Sequence, residues 1–217
     1  MSANNTSTLN TACVDLDITV SIAHNNQEIQ EAMDFCGKKY EDAYQTSWEI
    51  PPDILFVAKK GEQIVSTLGL EIGSLHDHIG AENYFHLTPK MKEFIENNRS
   101  NLAEAGRFSS INKSGAKAVF HAAISYCYQK DINYLFAWAN PNIYTHLANN
   151  AKIPFWVIED IELNIDFIKK DTGWRTPPTG FFIRDEPPRL LLSVLPFWEM
   201  VNHNLSNDYG KELFFNR

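Results

Sequence analysis

The chain has 217 residues and a formal charge of −8, from 19 Lys and Arg against 27 Asp and Glu; 44% of its residues are hydrophobic and 12% aromatic. That length and apolar content suit one domain with a real core, and the aromatic share is too high for a linker or a coiled coil. The acidic balance argues against bulk binding to nucleic acid or to an anionic lipid surface, since both favour a basic face.

The opening residues, MSANNTSTLN, have neither a basic start nor an apolar run, so no signal peptide is expected. Residues 1–14 read as a flexible tail ahead of a single domain over 15–217. No stretch approaches the roughly 20 apolar residues of a membrane span, so no integral membrane segment is expected. Cys13, Cys36 and Cys127 are scattered, with no CxxC pair. They read as reduced thiols of a cytoplasmic protein, not as a disulfide framework or a zinc site.

Asp17 to Ile22 alternates apolar and polar residues and predicts a half-buried strand. Asn25 or Asn26 caps a helix through Ile29, Ala32, Met33, Phe35 and Cys36. Gly37 is expected to end or interrupt it, and Tyr40 and Tyr44 continue its aromatic face. Beyond the break at Pro51-Pro52, Ile54 to Lys59 and Gln63 to Leu70 predict a hairpin turning at Lys60-Gly61. A polar loop follows Gly73, then Glu82 to Phe85 and a helix over Pro89 to Asn97. Leu102 to Ile111 predicts a strand, Ser114 to Lys130 a helix, Ile132 to Ala139 a buried strand, and Pro141 the start of a short helix. Trp156 to Asn164 is strand-like. The remainder is cut by Pro177-Pro178, Pro187-Pro188 and Pro196 into short extended pieces before an aromatic C-terminal helix. This order predicts one α/β (α+β) domain built on a mixed sheet flanked by helices, with a Pro-rich C-terminal extension. The strands carrying Glu104 and Phe136 are expected side by side and parallel, because a helix joins them.

Glu104 and Arg107 are charged residues on a strand that otherwise reads as buried, where charge is costly unless paired or functional. Strict alternation turns them to opposite faces. A bulge near Gly106 brings them to one face, and glycine tolerates such a bulge. A plain ion pair bracing a neighbouring loop is the competing reading.

Glu104-Ala105-Gly106-Arg107-Phe108 resembles the E-x-x-R-F strand of the acyl-homoserine-lactone (autoinducer) synthases. The helix, strand and helix that follow match the order of that family. Leu68-Gly69-Leu70, Glu82 to Phe85 and Glu104-x-Gly106 resemble the N-acyl amino acid synthases and the thermostable haemolysin family more closely still. The resemblance runs from roughly Ile29 to Leu163. It implies the fold of the GCN5-related N-acetyltransferases and transfer of an acyl group from a phosphopantetheine thioester to a small amine such as an amino acid. The thioester is carried on acyl-carrier protein or on acyl-CoA. The resemblance also matches Trp48 to a tryptophan in a flexible segment that closes over the substrate, and Asp53 to an acidic residue before the hairpin. Where the autoinducer synthases have an arginine after the hairpin glycine, Gly69-Leu70 is followed by Glu71. That departure points away from S-adenosylmethionine and towards another amine.

In this chemistry an amine attacks a thioester. Glu104 takes a proton from the amine, directly or through water, and backbone N–H groups of a splayed strand stabilise the developing oxyanion. Arg107 orients Glu104 or holds a substrate carboxylate bidentately. Asn112-x-x-Gly115-Ala116-Lys117 is a degraded acetyltransferase phosphate loop at a helix N-terminus. Lys113 and Lys117 lie one turn apart there, and from Glu104 to Asn150 four basic residues face two acidic ones. Phe108, Ser109, Lys113, Gly115 and Lys117 are therefore expected at the donor, and Trp48, Asp53 and Trp138 at the acceptor. Phe108, Val119, Phe120, Phe136, Trp138 and Phe155 could line an acyl tunnel or serve as plain core. His76-Asp77-His78 is too sparse for a metal site, and none is expected. A short-chain acetyl-CoA-dependent acetyltransferase and a non-catalytic, haemolysin-like binding protein are the alternative functions.

Overall fold

The computed structural model of the protein describes residues 17–146, 155–176 and 178–196. The expectations for the N-terminal tail, for Cys13 and for the aromatic C-terminal helix lie outside the described residues. Strand β1 (Ile18–Ile22) leads into helix α1 (Asn26–Tyr44). Asn25 caps that helix by accepting the Glu28 N–H at 2.9 Å. Gly37 does not break it. The glycine is buried within the helix, with the Ser47 side chain across from it, and the left-handed Gln45 provides the stop.

The hairpin forms as β2 (Ile54–Lys60) and β3 (Gln63–Ile72), and Gly61, at φ +58°, supplies the positive angle the two-residue turn requires. A 3-10 turn over Gly73–Leu75 is followed by α2 (Gly80–Tyr84), β4 (Phe85–His86) and α3 (Pro89–Asn98). Then come β5 (Leu102–Ser110), α4 (Lys113–Gln129), β6 (Tyr134–Ala139) and α5 (Pro141–His146). Trp156 to Asn164 is not one strand. It gives two dipeptide strands in different sheets, β7 (Trp156–Val157) and β8 (Glu162–Leu163), with Asp160 in the left-handed region between them. The Pro-rich part is not wholly extended either. It holds α6 (Ile165–Lys170), α7 (Thr179–Phe182) and β9 (Arg189–Val194); β9 is one of the expected extended pieces, and it proves to be a core strand.

Among the described residues, seven strands form one mixed sheet in the order β1-β2-β3-β5-β6-β9-β7, and β4 and β8 pair separately. All neighbours in the large sheet are antiparallel except β5 and β6, which are parallel with Glu104 opposite Phe136. Alternation along the strands sorts two cores. Leu55, Val57, Phe136 and Trp138 face α1, α2, α3, α6 and α7, while Phe56, Ala58, Leu135 and Ala137 face α4. Each fully buried Leu, Val or Phe side chain contributes roughly 1.5–3 kcal/mol, so both faces anchor the sheet between its helices.

Candidate active site

The sheet opens at its centre. The β5–β6 ladder runs from Leu102↔Tyr134 to Ala105↔Ala137 and no further. Beyond that point β5 stays paired with β3 to Ser110, and β6 stays paired with β9 to Ala139. Ala105, Gly106, Phe108, Ala137, Trp138, Ala139 and Asn140 line the small cavity in the gap. Tyr40, Phe108 and Ile143 also border a larger groove of about 440 Å³. Ser109, Asn112, Lys113 and Ala116 lie along that groove, with Lys39 and Tyr44 of α1 among its other lining residues.

A bulge does set the catalytic candidates on one face, but one residue later than expected. Gly69 pairs with Gly106 and Thr67 with Ser109, so Arg107 and Phe108 together oppose Leu68. Arg107 takes the strain, at φ +49°. Its carbonyl leaves the ladder and is caught by side chains. Thr67 Oγ1 donates to it at 3.0 Å and Cys36 Sγ at 3.3 Å. Ser109 Oγ in turn donates to Cys36 Sγ at 3.4 Å. Burial pushes the Cys36 thiol up to about 11, which keeps it protonated for this role.

Glu104 is 3% exposed. Oε2 accepts the Ala81 N–H at 2.6 Å and Oε1 accepts the Trp138 Nε1–H at 2.9 Å. A Cβ on Gly80 would stand 2.3 Å from Oε1, so only glycine lets α2 approach this carboxylate. Burial, and then the charge of Glu71, push the Glu104 acid up to about 8, against the opposing pull of Trp138, Ala81 and Arg107. Trp138 lines the cavity between β5 and β6, so Glu104 lies one side chain behind its wall.

Arg107 does not bond Glu104. Its Nη1 donates to Glu71 and its Nη2 to the Ile50 carbonyl at 3.1 Å. The guanidinium carbon lies 4.1 Å from the centre of the Trp48 ring. Nε has no hydrogen-bond partner among the described residues. Glu71 stands directly across from Glu104 in the β3–β5 register, on the same face. Trp48 stacks on Trp174 with ring centres 3.5 Å apart. Its segment is laced to residues 173–175 by a Trp48–Trp174 bridge and by the bonds Glu49 N–H to Gly173 O and Arg175 N–H to Ser47 O. Asp53 lies at the sheet edge, where its Oδ2 accepts the Ile72 N–H at 2.7 Å and meets His76 Nε2 at 2.7 Å.

Of the residues expected at the donor, Phe108, Ser109 and Lys113 line the groove, whereas Lys117 does not. Gly115 serves packing: a Cβ there would come within 2.9 Å of Val65. Its N–H is taken by Asn112 Oδ1 at 2.9 Å. Of the six apolar residues named for a tunnel, Phe108, Phe120 and Trp138 line the central cavity; Val119, Phe136 and Phe155 are core. His76 is engaged with Asp53 and His78 with Glu82. Among the described residues no group of three His, Cys, Asp or Glu could hold a metal ion, and no helix is long and apolar enough to cross a membrane.

Four residues of this site were not picked out in the sequence as site residues. Glu71 carried a signal, since it sits two positions after Gly69 on the strand facing Glu104. Asn140 follows β6 just before Pro141; it donates to Tyr44 Oη at 3.0 Å and leaves its Oδ1 without a partner among the described residues, beside the central cavity. Cys36 and Trp174 gave no local signal.

The sequence matches no protein-family model and no curated protein. Its structure is similar to that of FeeM, an N-acyl amino acid synthase from uncultured soil microbes. The identity is 14%, the TM-score is 0.61, and 87% of this chain and 98% of that one are covered. The AHL synthase LasI is similar at 11% identity and a TM-score of 0.51, over 82% of this chain and 90% of that one. An acyl-CoA N-acyltransferase from Pseudomonas aeruginosa also has a TM-score of 0.51, at 8% identity over 82% and 99%. The fold is the acyltransferase one. The mixed sheet parted between two parallel central strands is thus the architecture that the E-x-x-R-F resemblance implied.

Proposed function

We propose that the protein is an N-acyltransferase that moves an acyl group from a phosphopantetheine thioester to a small primary amine. The observation that carries this reading is the parting of β5 and β6 beyond Ala105 and Ala137, with an apolar cavity in the gap and a groove beside it. A pantetheine arm laid along the groove finds β5 backbone groups on one side and Asn140 Oδ1, an unpartnered acceptor, beside the cavity. The thioester then reaches the gap, where Phe108, Phe120 and Trp138 shelter it from water. Glu104, Arg107 and Trp48 serve the acceptor end together with Asp53 and Trp138. Phe108, Ser109, Lys113 and Gly115 serve the donor end, with Lys117 on the next turn of α4.

Glu104 is the base of this proposal. An acid raised to about 8 makes Glu104 a stronger base than an ordinary carboxylate, although proton transfer from an alkylammonium, with a pKa of roughly 10.4, still runs uphill. Trp138, hydrogen-bonded to Glu104 and exposed to the cavity, positions the carboxylate behind the reacting centre.

A carrier-protein thioester is the donor we favour. Asn112 uses the Gly115 N–H, so fewer free N–H groups remain at the start of α4 than a diphosphate would call on. The single phosphate of a carrier arm asks for less, and acyl-CoA is the competing donor. The test is to incubate the full chain with acyl-carrier protein or acyl-CoA and a panel of amines. Thiol release and the mass of any amide are then followed. Amide formation with either donor supports the reading, and its absence with both donors across the panel overturns it.

A further inference from the structure

The gap between β5 and β6 has little room. Its cavity measures about 30 Å³, against about 440 Å³ for the groove beside it. One water takes up roughly 10–15 Å³ on this scale, so the gap holds two or three groups of about that size, a carbonyl with a short alkyl stub. Both faces of the sheet close it. On the α4 side the floor is Leu68 and Phe120, both buried, and the Phe108 ring packs on Phe120 with centres 5.0 Å apart. On the α1 side the roof is Tyr40, Trp138 and Phe181. Phe181 reaches the gap from α7 and is 2% exposed. Its ring centre lies 5.0 Å from that of Tyr44, 5.5 Å from that of Trp138 and 5.7 Å from that of Tyr40. The short helix that carries it sits hard against the end of α1: a Cβ on Gly180 would stand 2.0 Å from the Tyr44 carbonyl oxygen. Trp138 is held by its bond to Glu104, and Trp48, Trp174 and Phe182 continue the ring contacts behind the roof. The cavity of about 230 Å³ between α3 and Ile158 to Ile161 shares no lining residue with the gap.

We propose that the acyl group this protein transfers is short, about two to four carbons, and that Phe181 sets the limit. The inference rests on the acyltransferase reading above. The amine nitrogen first gives its extra proton to the Glu104 carboxylate, which returns it to solvent. The nitrogen lone pair then forms the C–N bond at the thioester carbon as the C–S bond breaks. The second proton shed by nitrogen ends on the departing thiolate, leaving a short-chain amide and a free pantetheine thiol. A longer acyl chain has to push Phe181 off the end of α1 or Trp138 off Glu104. Overfilling a packed site forces its side chains out of their preferred rotamers, and moving Trp138 also releases the carboxylate that acts as base.

The experiment has a binding arm and a turnover arm, both on the full chain. In the first, carrier protein and coenzyme A bearing inert S-alkyl groups, from ethyl through butyl and octyl to dodecyl, are titrated calorimetrically. Affinity is expected to rise from ethyl to butyl and to stop there, whereas an open tunnel would add about fourfold for each further methylene buried. In the second arm, acetyl, butyryl, octanoyl and lauroyl thioesters of the same carriers are given with a panel of amines, and amide formation is read as kcat/KM. The two short thioesters are expected to be used at least about tenfold better than the two long ones. Phe181→Leu is expected to move the best chain upward in both arms, and Phe181→Ala to move it further. The alanine variant opens a large hole and risks misfolding, so the leucine variant and the unaltered protein decide the matter. Affinity that climbs steadily to dodecyl, or best use of the long thioesters, would overturn the proposal and leave the acyltransferase reading standing. A Phe181→Leu profile identical to that of the unaltered protein would remove Phe181 from the role. No amide from any thioester with any amine would overturn both readings.

Discussion

The two ends of the parted strands are built in opposite ways. Much of the proposed donor groove comes from one short run, Phe108 to Ala116, to which α1 adds Lys39 and Tyr44 and α5 adds Asn142 and Ile143. The proposed acceptor end gathers Trp48, Glu71, Glu104, Arg107, Trp138 and Trp174 from separate parts of the chain. Its central charges are buried. Chemistry that rests on a helix start survives modest rearrangement, because the helix carries its own N–H groups. Chemistry that rests on long-range burial depends on the whole sheet, and it reacts strongly to single changes. Substitutions should therefore separate the two ends by size of effect as well as by kind.

The largest effect is expected at Glu104. Glu104→Gln keeps a carbonyl oxygen for the Ala81 N–H but cannot take a proton. We predict that turnover with a thioester and an amine falls by about 10²–10⁴-fold, the usual worth of general-base catalysis. Donor affinity and the circular dichroism spectrum should stay as they are. Near-normal product formation by this variant would leave Glu104 as a packing partner of Trp138 and Gly80 and would remove the distinction between the two ends.

Next in size is the ion pair. Arg107→Ala leaves the Glu71 carboxylate without its guanidinium and takes the cover from Trp48. Breaking a buried pair costs about 3–5 kcal/mol, and the partial exposure of Glu71 puts this one near about 3 kcal/mol. Arg107→Gly removes the same contacts but relaxes the positive φ, so it should be milder than the alanine variant by about 1 kcal/mol. Denaturant unfolding of both variants checks the order. If the glycine variant is the weaker of the two, the bulge is not where the strain lies.

A pH series sharpens the same contrast. The folded-state acid of Glu104 is raised to about 8, above its value in the unfolded chain. The folded protein thus holds a proton that the unfolded one releases at lower pH. The stability from this group is complete at acid pH and is lost as pH rises through about 8. The slope is at most about 1.4 kcal/mol per pH unit. Subtracting the Glu104→Gln series from that of the unaltered protein should isolate this slope. A flat difference between pH 5 and 8 would mean that Glu104 is ionised throughout. Activity should move the other way, rising towards pH 8 as the base form appears.

The sequence revealed the parts of this molecule whose physics is local. Period-two alternation gave β1, β2, β3, β5 and β6 to within a residue or two, because each strand shows one core to α1 and the other to α4. The order of elements gave the parallel β5–β6 pair. What stayed hidden depended on partners far along the chain. Arg189 to Val194 reads only as a short extended piece between prolines until β6 and β7 are seen on either side of it. Arg107 was expected to orient Glu104 or to hold a substrate carboxylate, yet Glu71 on the facing strand captured it, and no spacing rule announces that choice. Gly106 looked like the natural bulge, but the side chains able to receive an expelled carbonyl, Thr67 and Cys36, surround Arg107.

The smallest expected effect lies at the donor end, where the geometry separates two lysines that the sequence treated as equals. Lys113 lines the groove and Lys117, one turn on, does not. Both are close to solvent, so each acts mainly through screened charge, worth about 1 kcal/mol or less at ordinary salt. Lys113→Glu places a carboxylate beside the arriving phosphate; Lys117→Glu alters the field from farther off. Acyl-carrier protein affinity should therefore drop several-fold with Lys113→Glu and about half as far in energy with Lys117→Glu. Both losses should be larger at low salt and shrink as the Debye length contracts from about 30 Å at 0.01 M to about 8 Å at 0.15 M. Affinity measured across that salt range checks both statements. Equal losses for the two variants would mean that the donor meets the outer face of α4 and not the groove, while losses independent of salt would mean that the lysines act through packing.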